Sequence, residues 1–244
     1  MESQVGRSLG PYQLLEPIGK GGMATIYRAY QSAMDRYVAI KVLPQQIAAE
    51  DATFLGRFEQ EAKTIARLEH PHILPVHDYG EAEGYAYLVM RYVEAGTLKD
   101  LIAEGPVPIP RAVRLIQQVA SALDYAHRQG VIHRDVKPSN VLLDASDHVY
   151  LMDFGIAKLL SGSARFTGTD MMIGTPAYMS PEQAQGQPAD ERSDIYSLGV
   201  MLYEMVTGQA PYEAETPMAV LLKHIQAPLP PPRTVRADLP GAVE

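Results

Sequence analysis

Short apolar runs separated by glycine and polar turns fill the first stretch of the chain, and helical spacing takes over later. Tyr12 to Leu43 reads as strands. Gln13-Leu14-Leu15 leads into Ile18-Gly19-Lys20-Gly21-Gly22-Met23-Ala24-Thr25-Ile26-Tyr27, and Tyr37 to Leu43 follows. Between Asp51 and Glu69 the period changes: Phe54, Phe58, Ala62, Ile65 and Leu68 recur on one helical face. Glu61 lies at the edge of that stripe, whereas Glu59 and Lys63 point away. His70-Pro71-His72 is expected to end the helix, Tyr85 to Met90 to form a strand, and Arg91 to Gly96 to connect to a mainly helical remainder. There, Arg111 to Gln129 predicts a helix with Val113, Ile116, Val119, Ala120, Leu123 and His127 on one face, closed by Gly130 at C′. Two short strands, Val141-Leu142-Leu143 and Tyr150-Leu151-Met152, come next. Ile156 to Met179 is weakly patterned and long for a connection, which points to a functional segment. Helices over Glu191 to Thr207 and about Thr216 to Gln226 complete the pattern, and Pro228, Pro230, Pro231 and Pro232 break it.

Chemistry concentrates where the pattern is interrupted. His133-Arg134-Asp135-Val136-Lys137-Pro138-Ser139-Asn140 and Asp153-Phe154-Gly155 place two carboxylates, an amide and an ammonium on short loops beside apolar strands. One carboxylate can receive a hydroxyl proton; the other, with the amide, can hold Mg²⁺; the ammonium can neutralise charge on a phosphoryl group. Glycines after Ile18 let backbone N–H groups approach phosphate oxygens, a weak signal alone. Lys41 is a cation within an apolar strand, and Glu61 is a carboxylate at the edge of a buried stripe. A carboxylate facing a core is costly unless paired, so Lys41 is its candidate partner; a solvated helix-edge Glu61 is the alternative. His70, His72 and His77 match no metal-ligand spacing and are assigned to turn and packing roles. Asp194 either caps its own helix or braces the loop around Asp135.

Composition narrows the class. The chain has 244 residues, 46% hydrophobic and 20% charged, which suits one large domain or two small lobes of a soluble protein. A net charge of −8, from 21 basic and 29 acidic side chains, argues against nucleic acid as the main partner. Without cysteine there is neither disulfide nor thiolate chemistry, which fits a reducing compartment. No apolar run approaches the length of a membrane span, so a cytoplasmic location without membrane contact is expected.

Glycine loop, strand Lys, helix Glu, His-Arg-Asp, Asp-Phe-Gly and Ser180-Pro181-Glu182, in this order, resemble the eukaryotic-type protein kinase domain, in its bacterial serine/threonine receptor-kinase form. The resemblance implies an α+β, bilobal fold: an N-lobe over 12–90, a hinge over 91–96 and a C-lobe over 97–244. It implies ATP with Mg²⁺ or Mn²⁺. Lys41 would hold the α- and β-phosphates and pair with Glu61; Asp135 would accept the substrate proton; Lys137 would meet the γ-phosphate; Asn140 and Asp153 would bind the metal. Ile18, Gly19, Gly21, Gly22, Ile26, Ala39 and Leu142 would surround the nucleotide, with Met90 as gatekeeper and Arg91 and Val93 in the hinge. Val76, Ile65, Phe154 and His133 match the apolar column that tracks activity, with Asp194 at its base. Ala24 departs from the usual third glycine. Protein substrates would dock on Gly174 to Glu182. Autophosphorylation at Thr167 and Thr169, with Ser161 and Ser163 as the weaker alternatives, in trans within a homodimer, would pair phosphate with Arg134. The competing expectations are a pseudokinase scaffold and a small-molecule phosphotransferase. The resemblance also implies that two further helices follow Glu244. Without them Glu182 would lack a buried Arg partner, apolar helix faces would be uncovered, and the fragment would melt below an extended polypeptide.

Overall fold

Apolar residues at every second position build the first sheet. The computed structural model describes residues 5–20, 24–43, 54–154 and 176–243. Gly21, Gly22, Gly155, Ile156, Ser161, Ser163, Thr167, Thr169, Gly174 and Thr175 lie outside them. Strands β1 (Ser8–Leu9), β2 (Tyr12–Lys20), β3 (Thr25–Gln31), β4 (Arg36–Val42), β5 (Val76–Ala82) and β6 (Tyr85–Arg91) form an antiparallel sheet in the order β1-β2-β3-β4-β6-β5. One face carries Tyr12, Leu14, Tyr27, Ala29, Val38, Ile40, Val42, Tyr87 and Val89 into a single core. Gly80 is dictated by packing there, since a Cβ would stand 2.6 Å from the Tyr87 hydroxyl. Helix α1 (Phe54–Ala66) packs near β5 and buries Phe54, Phe58, Ala62 and Ile65, as its spacing predicts. It ends at Ala66 rather than at His70, because Arg67 and Leu68 donate to Thr64 and Ile65 in a tightened turn. β5 was not legible: Val-His-Asp-Tyr-Gly-Glu-Ala lacks alternation because it is a half-exposed edge strand.

Residues up to Glu69, with Leu74–Glu94, make this first compact unit; His70–Ile73 and the residues from Ala95 onward make the second. In the second, β7 (Gly96–Thr97), β8 (Val141–Leu143) and β9 (Val149–Leu151) form a small sheet. Helix α2 (Leu98–Ala103) starts at a capping box between Thr97 and Asp100, a Thr-x-x-Asp spacing that sequence reading passed over. The helix expected over Arg111 to Gln129 is α3 (Ile109–Arg128), with Gly130 beyond its end at φ +73°. Its buried face differs from the expected one. Ala112, Leu115, Val119, Ala122, Leu123 and Ala126 are buried, whereas Val113 is 45% exposed. Three of these are alanines, small enough to admit β9 and helix α5 (Glu191–Thr207) against the helix, while the larger Val113 and Ile116 lie to one side.

The remaining elements are short or capped as the sequence allows. Helix α4 (Pro181–Ala184) opens on a Ser180–Gln183 capping box, and α5 on Asp190, not Asp194. α5 ends at Gly208, held at φ +86°. Helix α6 (Pro217–Gln226) is capped by Thr216. The proline run does not exclude helix entirely: α7 (Pro232–Val235) places Pro232 in its first turn, where no N–H is needed. Ile195, Met218 and Leu222, on α5 and α6, are exposed apolar side chains. No helix among the described residues is long and apolar enough to cross a membrane.

The face assignment of α3 gives a direct test. Leu115→Ala should cost about 2–5 kcal/mol of stability by opening a cavity, and Val113→Ala within about 0.5 kcal/mol. Denaturant titration of both variants checks this, and a larger loss at Val113 would contradict the observed packing.

Candidate active site

The loop around Asp135 is fixed by buried polar bonds rather than by regular structure. Asp194, 1% exposed, accepts the backbone N–H of His133 at 2.8 Å on one oxygen and that of Arg134 at 2.8 Å on the other. His127 Nε2 donates to the same carboxylate at 2.7 Å. Of the two sequence readings of Asp194, bracing is observed and capping belongs to Asp190. His127 as a third donor escaped sequence analysis, which placed it on a helix face without a role. Arg134 sits at φ +68°, a left-handed conformation unfavourable for arginine and tolerated only where surrounding bonds impose it. The His133 ring is buried and packs on Phe154 at 4.5 Å. Its Nδ1 accepts the Asp135 N–H at 3.2 Å, so its proton sits on Nε2 and is donated to the Met152 carbonyl at 2.8 Å. One imidazole thus ties the Asp135 loop to the residue before Asp153.

Asp135, Lys137 and Asn140 converge. Lys137 Nζ stands 2.7 Å from Asp135 Oδ2, and Asn140 Nδ2 donates to the same oxygen at 3.0 Å and to the Asp135 carbonyl at 2.8 Å. Both amide hydrogens of Asn140 therefore face Asp135, leaving its carbonyl oxygen for another partner. Asp135 Oδ1 takes no hydrogen bond among the described residues. A 3₁₀ turn, Pro138–Asn140, aims these groups and runs straight into β8; the Met152 N–H donates to the Asn140 carbonyl at 3.0 Å, closing the β8–β9 hairpin beside Asp153. Asp153 is at φ +69°. An amide oxygen and a carboxylate are hard donors of the kind Mg²⁺ takes from protein while phosphate and water complete its shell.

Behind this loop lies the stretch expected to dock substrates. Its described part begins with the 3₁₀ turn Pro176–Tyr178. Ser197 Oγ donates to the Tyr178 carbonyl at 2.7 Å, and the Tyr178 hydroxyl donates to Glu204 at 2.5 Å. Burial, with Glu204 alongside, pushes the Tyr178 phenol far above its usual range, so it stays a donor. Gln183 Nε2 donates to the Arg134 carbonyl at 2.9 Å, linking α4 to the Asp135 loop; the Ser-x-x-Gln spacing was the available signal. Glu182, expected to lack a buried Arg partner, accepts a short hydrogen bond from Ser193 Oγ. Burial alone would raise the Glu182 pKa, but this bond, its own backbone and the Ser180 hydroxyl bring it below the usual carboxylate value. His70 stacks on Tyr125 and bonds Ser121, and His72 bonds the Val149 carbonyl, which are packing roles.

In the first unit, strand register gathers the predicted nucleotide residues. Gly19 faces Ile26, Ile26 faces Lys41 and Lys41 faces Leu88, one row across four strands. In the next row Arg28 faces Ala39 and Ala39 faces Met90. Cross-strand partners share a face, so Ile26, Ala39, Lys41 and Met90 occupy the side opposite the Val38–Ile40–Val42 core. Met90 is buried, Lys41 and Glu61 are half-buried, and Ile18 and Arg91 are exposed. Val93 follows β6, and Leu142 lies on β8 in the second unit.

The first unit holds a strand-row lysine on an antiparallel sheet with one helix, and the second a braced Asp-Lys-Asn loop beside a second aspartate, the features expected of a phosphotransferase-type domain. Residues 12–234 match the protein kinase domain family, and the chain belongs to it. Its relatives include the serine/threonine-protein kinase PrkC of Bacillus subtilis, 42% identical over 239 residues, and PknD of Mycobacterium tuberculosis, 43% identical over 241. The alignments cover 98% of this chain in both cases, but only 37% and 36% of those proteins. The crystal structure of the Mycobacterium tuberculosis PknI kinase domain matches with a TM-score of 0.74 and 31% identity, over 98% of this chain and 86% of that one. The two units are accordingly those of the bilobal kinase fold.

Glu182 gives the site a pH signature. Its lowered pKa contributes stability that is present above the ordinary value of 4.5 and is lost as pH falls through the folded value. Ser193→Ala removes a donor to the carboxylate, so the acid limb of the stability curve should move to higher pH. Acid unfolding monitored by circular dichroism checks this; an unmoved limb would show that Ser193 does not hold Glu182.

Proposed function

We propose that the chain is the catalytic domain of a bacterial serine/threonine-protein kinase, transferring the γ-phosphate of ATP to protein hydroxyls. The observation that carries this reading is the Asp135 carboxylate, with one oxygen held by Lys137 and Asn140 and the other open to a hydroxyl. Asp135 orients the substrate hydroxyl and accepts its proton. Lys137, already beside Asp135, meets the γ-phosphate. Lys41 holds the α- and β-phosphates and is itself positioned by Glu61; Ile18, Gly19, Gly21, Gly22, Ile26, Ala39 and Leu142 enclose the nucleotide, and Met90, Arg91 and Val93 border the adenine. Asn140 and Asp153 would hold the divalent ion. That ion, when bound, neutralises charge on the phosphate oxygens.

Substrate proteins dock on the Gly174–Glu182 stretch. Arg134, beside Asp135, receives the phosphate placed on Thr167 or Thr169 by a second copy of the chain, a group of about −1.5 to −2 charge that orders the segment. The domain acts in the cytoplasm. A pseudokinase is the competing reading, and the complete set Lys41, Glu61, Asp135, Asn140 and Asp153 speaks against it.

Labelled ATP with a generic protein substrate, followed by phosphopeptide mapping, tests the proposal. Asp135→Asn should keep nucleotide binding and lose about 10²–10⁴-fold in transfer, the usual contribution of a positioned base. Asp153→Asn should instead abolish Mg²⁺-dependent nucleotide binding, read by thermal shift. Nucleotide binding by the natural chain without transfer would favour the pseudokinase, and near-normal turnover by either variant would remove the assigned roles.

A further inference from the structure

Arg28 is a charged side chain on the sheet face assigned to the nucleotide, and the reading above leaves it without a role. It pairs across the strands with Glu16 on β2 and with Ala39 on β4, and Ala39 in turn faces Met90. Arg28 therefore lies on the same side as Ile26, Ala39 and Met90, in the row next to that of Ile26 and Lys41. The following row on this face is aromatic. Tyr30 pairs with Tyr37, their rings 5.6 Å apart, and the Tyr30 hydroxyl donates to Asp35 at 2.6 Å in the turn before β4. The Arg28 guanidinium lies over two rings, 5.0 Å from the centre of Tyr37 and 6.0 Å from that of Tyr92. Tyr92 follows the end of β6, between Arg91 and Val93.

Magnitudes separate the contacts of Arg28. Its Nε stands 3.0 Å from a Glu16 oxygen, but the Glu16 side chain is 55% exposed and Nε makes no hydrogen bond. Such a pair is screened by solvent and holds little. The Arg28 side chain is itself only 34% exposed, and a partly desolvated guanidinium over an aromatic face is held more firmly. Tyr37 is exposed, whereas Tyr92 is half-buried. A surface arginine with no task beyond solubility needs neither ring. Here β2, β3, β4 and the segment after β6 each bring a side chain to one cation.

We propose that Arg28 is a positioning residue for the nucleotide base: its guanidinium holds the Tyr92 ring and so fixes the backbone of Arg91 and Val93 beside the adenine. The proposal rests on the reading of this face as the nucleotide site. It concerns the base and not the phosphates, because Arg28 shares its row with Ala39 and Met90 and not with Lys41.

The test compares the natural chain, Arg28→Met, Arg28→Lys, Tyr92→Leu and the double variant Arg28→Met/Tyr92→Leu in steady-state phosphorylation of one peptide, with thermal melts to establish folding. Arg28→Met keeps the apolar stem and removes the cation. Its KM for ATP should rise about three- to ten-fold, the range of a partly desolvated cation–π contact, with the KM for peptide unchanged. Inorganic tripolyphosphate, which has no base, should inhibit Arg28→Met and the natural chain equally. Arg28→Lys retains a cation and should recover part of the ATP affinity. The double variant should bind ATP no worse than the more affected single variant, because both substitutions remove one contact. An unchanged KM for ATP in Arg28→Met would overturn the proposal. So would single effects that multiply in the double variant, since Arg28 would then act without Tyr92. Weakened inhibition by tripolyphosphate would also overturn it, by placing the effect on the phosphates. A thermal-shift titration separates the two readings. If the natural chain binds no ATP, the nucleotide reading fails and the proposal with it; if the natural chain and Arg28→Met bind ATP equally, only the role of Arg28 falls.

Discussion

The Asp194 carboxylate is the constraint on which the second unit's chemistry depends. Taking a carboxylate out of water is expensive unless its oxygens are filled. Here three donors fill them: two consecutive backbone amides, from His133 and Arg134, and the His127 ring. Adjacent amides can point at one carboxylate only if the chain turns sharply, and Arg134 at φ +68° is that turn. The cost of the left-handed arginine, of order 1–3 kcal/mol, is offset by charge-assisted bonds in a dry site. Asp135 follows directly, so its orientation inherits the strain.

From that anchor the remaining site is assembled by relays. His133 carries the constraint through its ring to the carbonyl of Met152, next to Asp153, which itself adopts φ +69°. Asn140 carries it from Asp135 into β8, and Gln183 carries it from the Arg134 carbonyl into α4. Asp135, Asn140, the residue before Asp153 and α4 are thus fixed to one another through a few side chains. α5 supplies the base for this: it is buried on most of its surface and presents Ser193, Asp194, Ser197 and Glu204 in successive turns.

How much of this was legible depended on whether a single residue or a neighbourhood decided it. Strands with alternating valine and isoleucine and the stripe Phe54-Phe58-Ala62-Ile65 are local properties, and the structure places them as expected; it also brings the side chains of Asp135, Lys137 and Asn140 together. The face of α3 is not local. Both Val113-Ile116-Ala120 and Ala112-Leu115-Ala122 recur at helical spacing, and only the close approach of α5 and β9 selects the face with small residues. β5 has no signature because an edge strand need not alternate. Asp190 and Asp194 are both plausible caps by position, and the choice rests on which N–H groups the folded loop brings near. The role of His127 likewise arises only from tertiary contact with α5.

Amide hydrogen exchange at His133 and Arg134, in the natural chain and in Asp194→Asn, tests the central claim most directly. The variant keeps the size of the side chain but replaces one acceptor oxygen with a donor that opposes a backbone N–H. The account predicts that both amides are protected to the same degree as the core of α5 in the natural chain. In the variant that protection is lost while α5 keeps its own, and phosphoryl transfer falls with it. Unchanged protection of both amides in Asp194→Asn would contradict the account, because the loop would then be held by something other than this carboxylate.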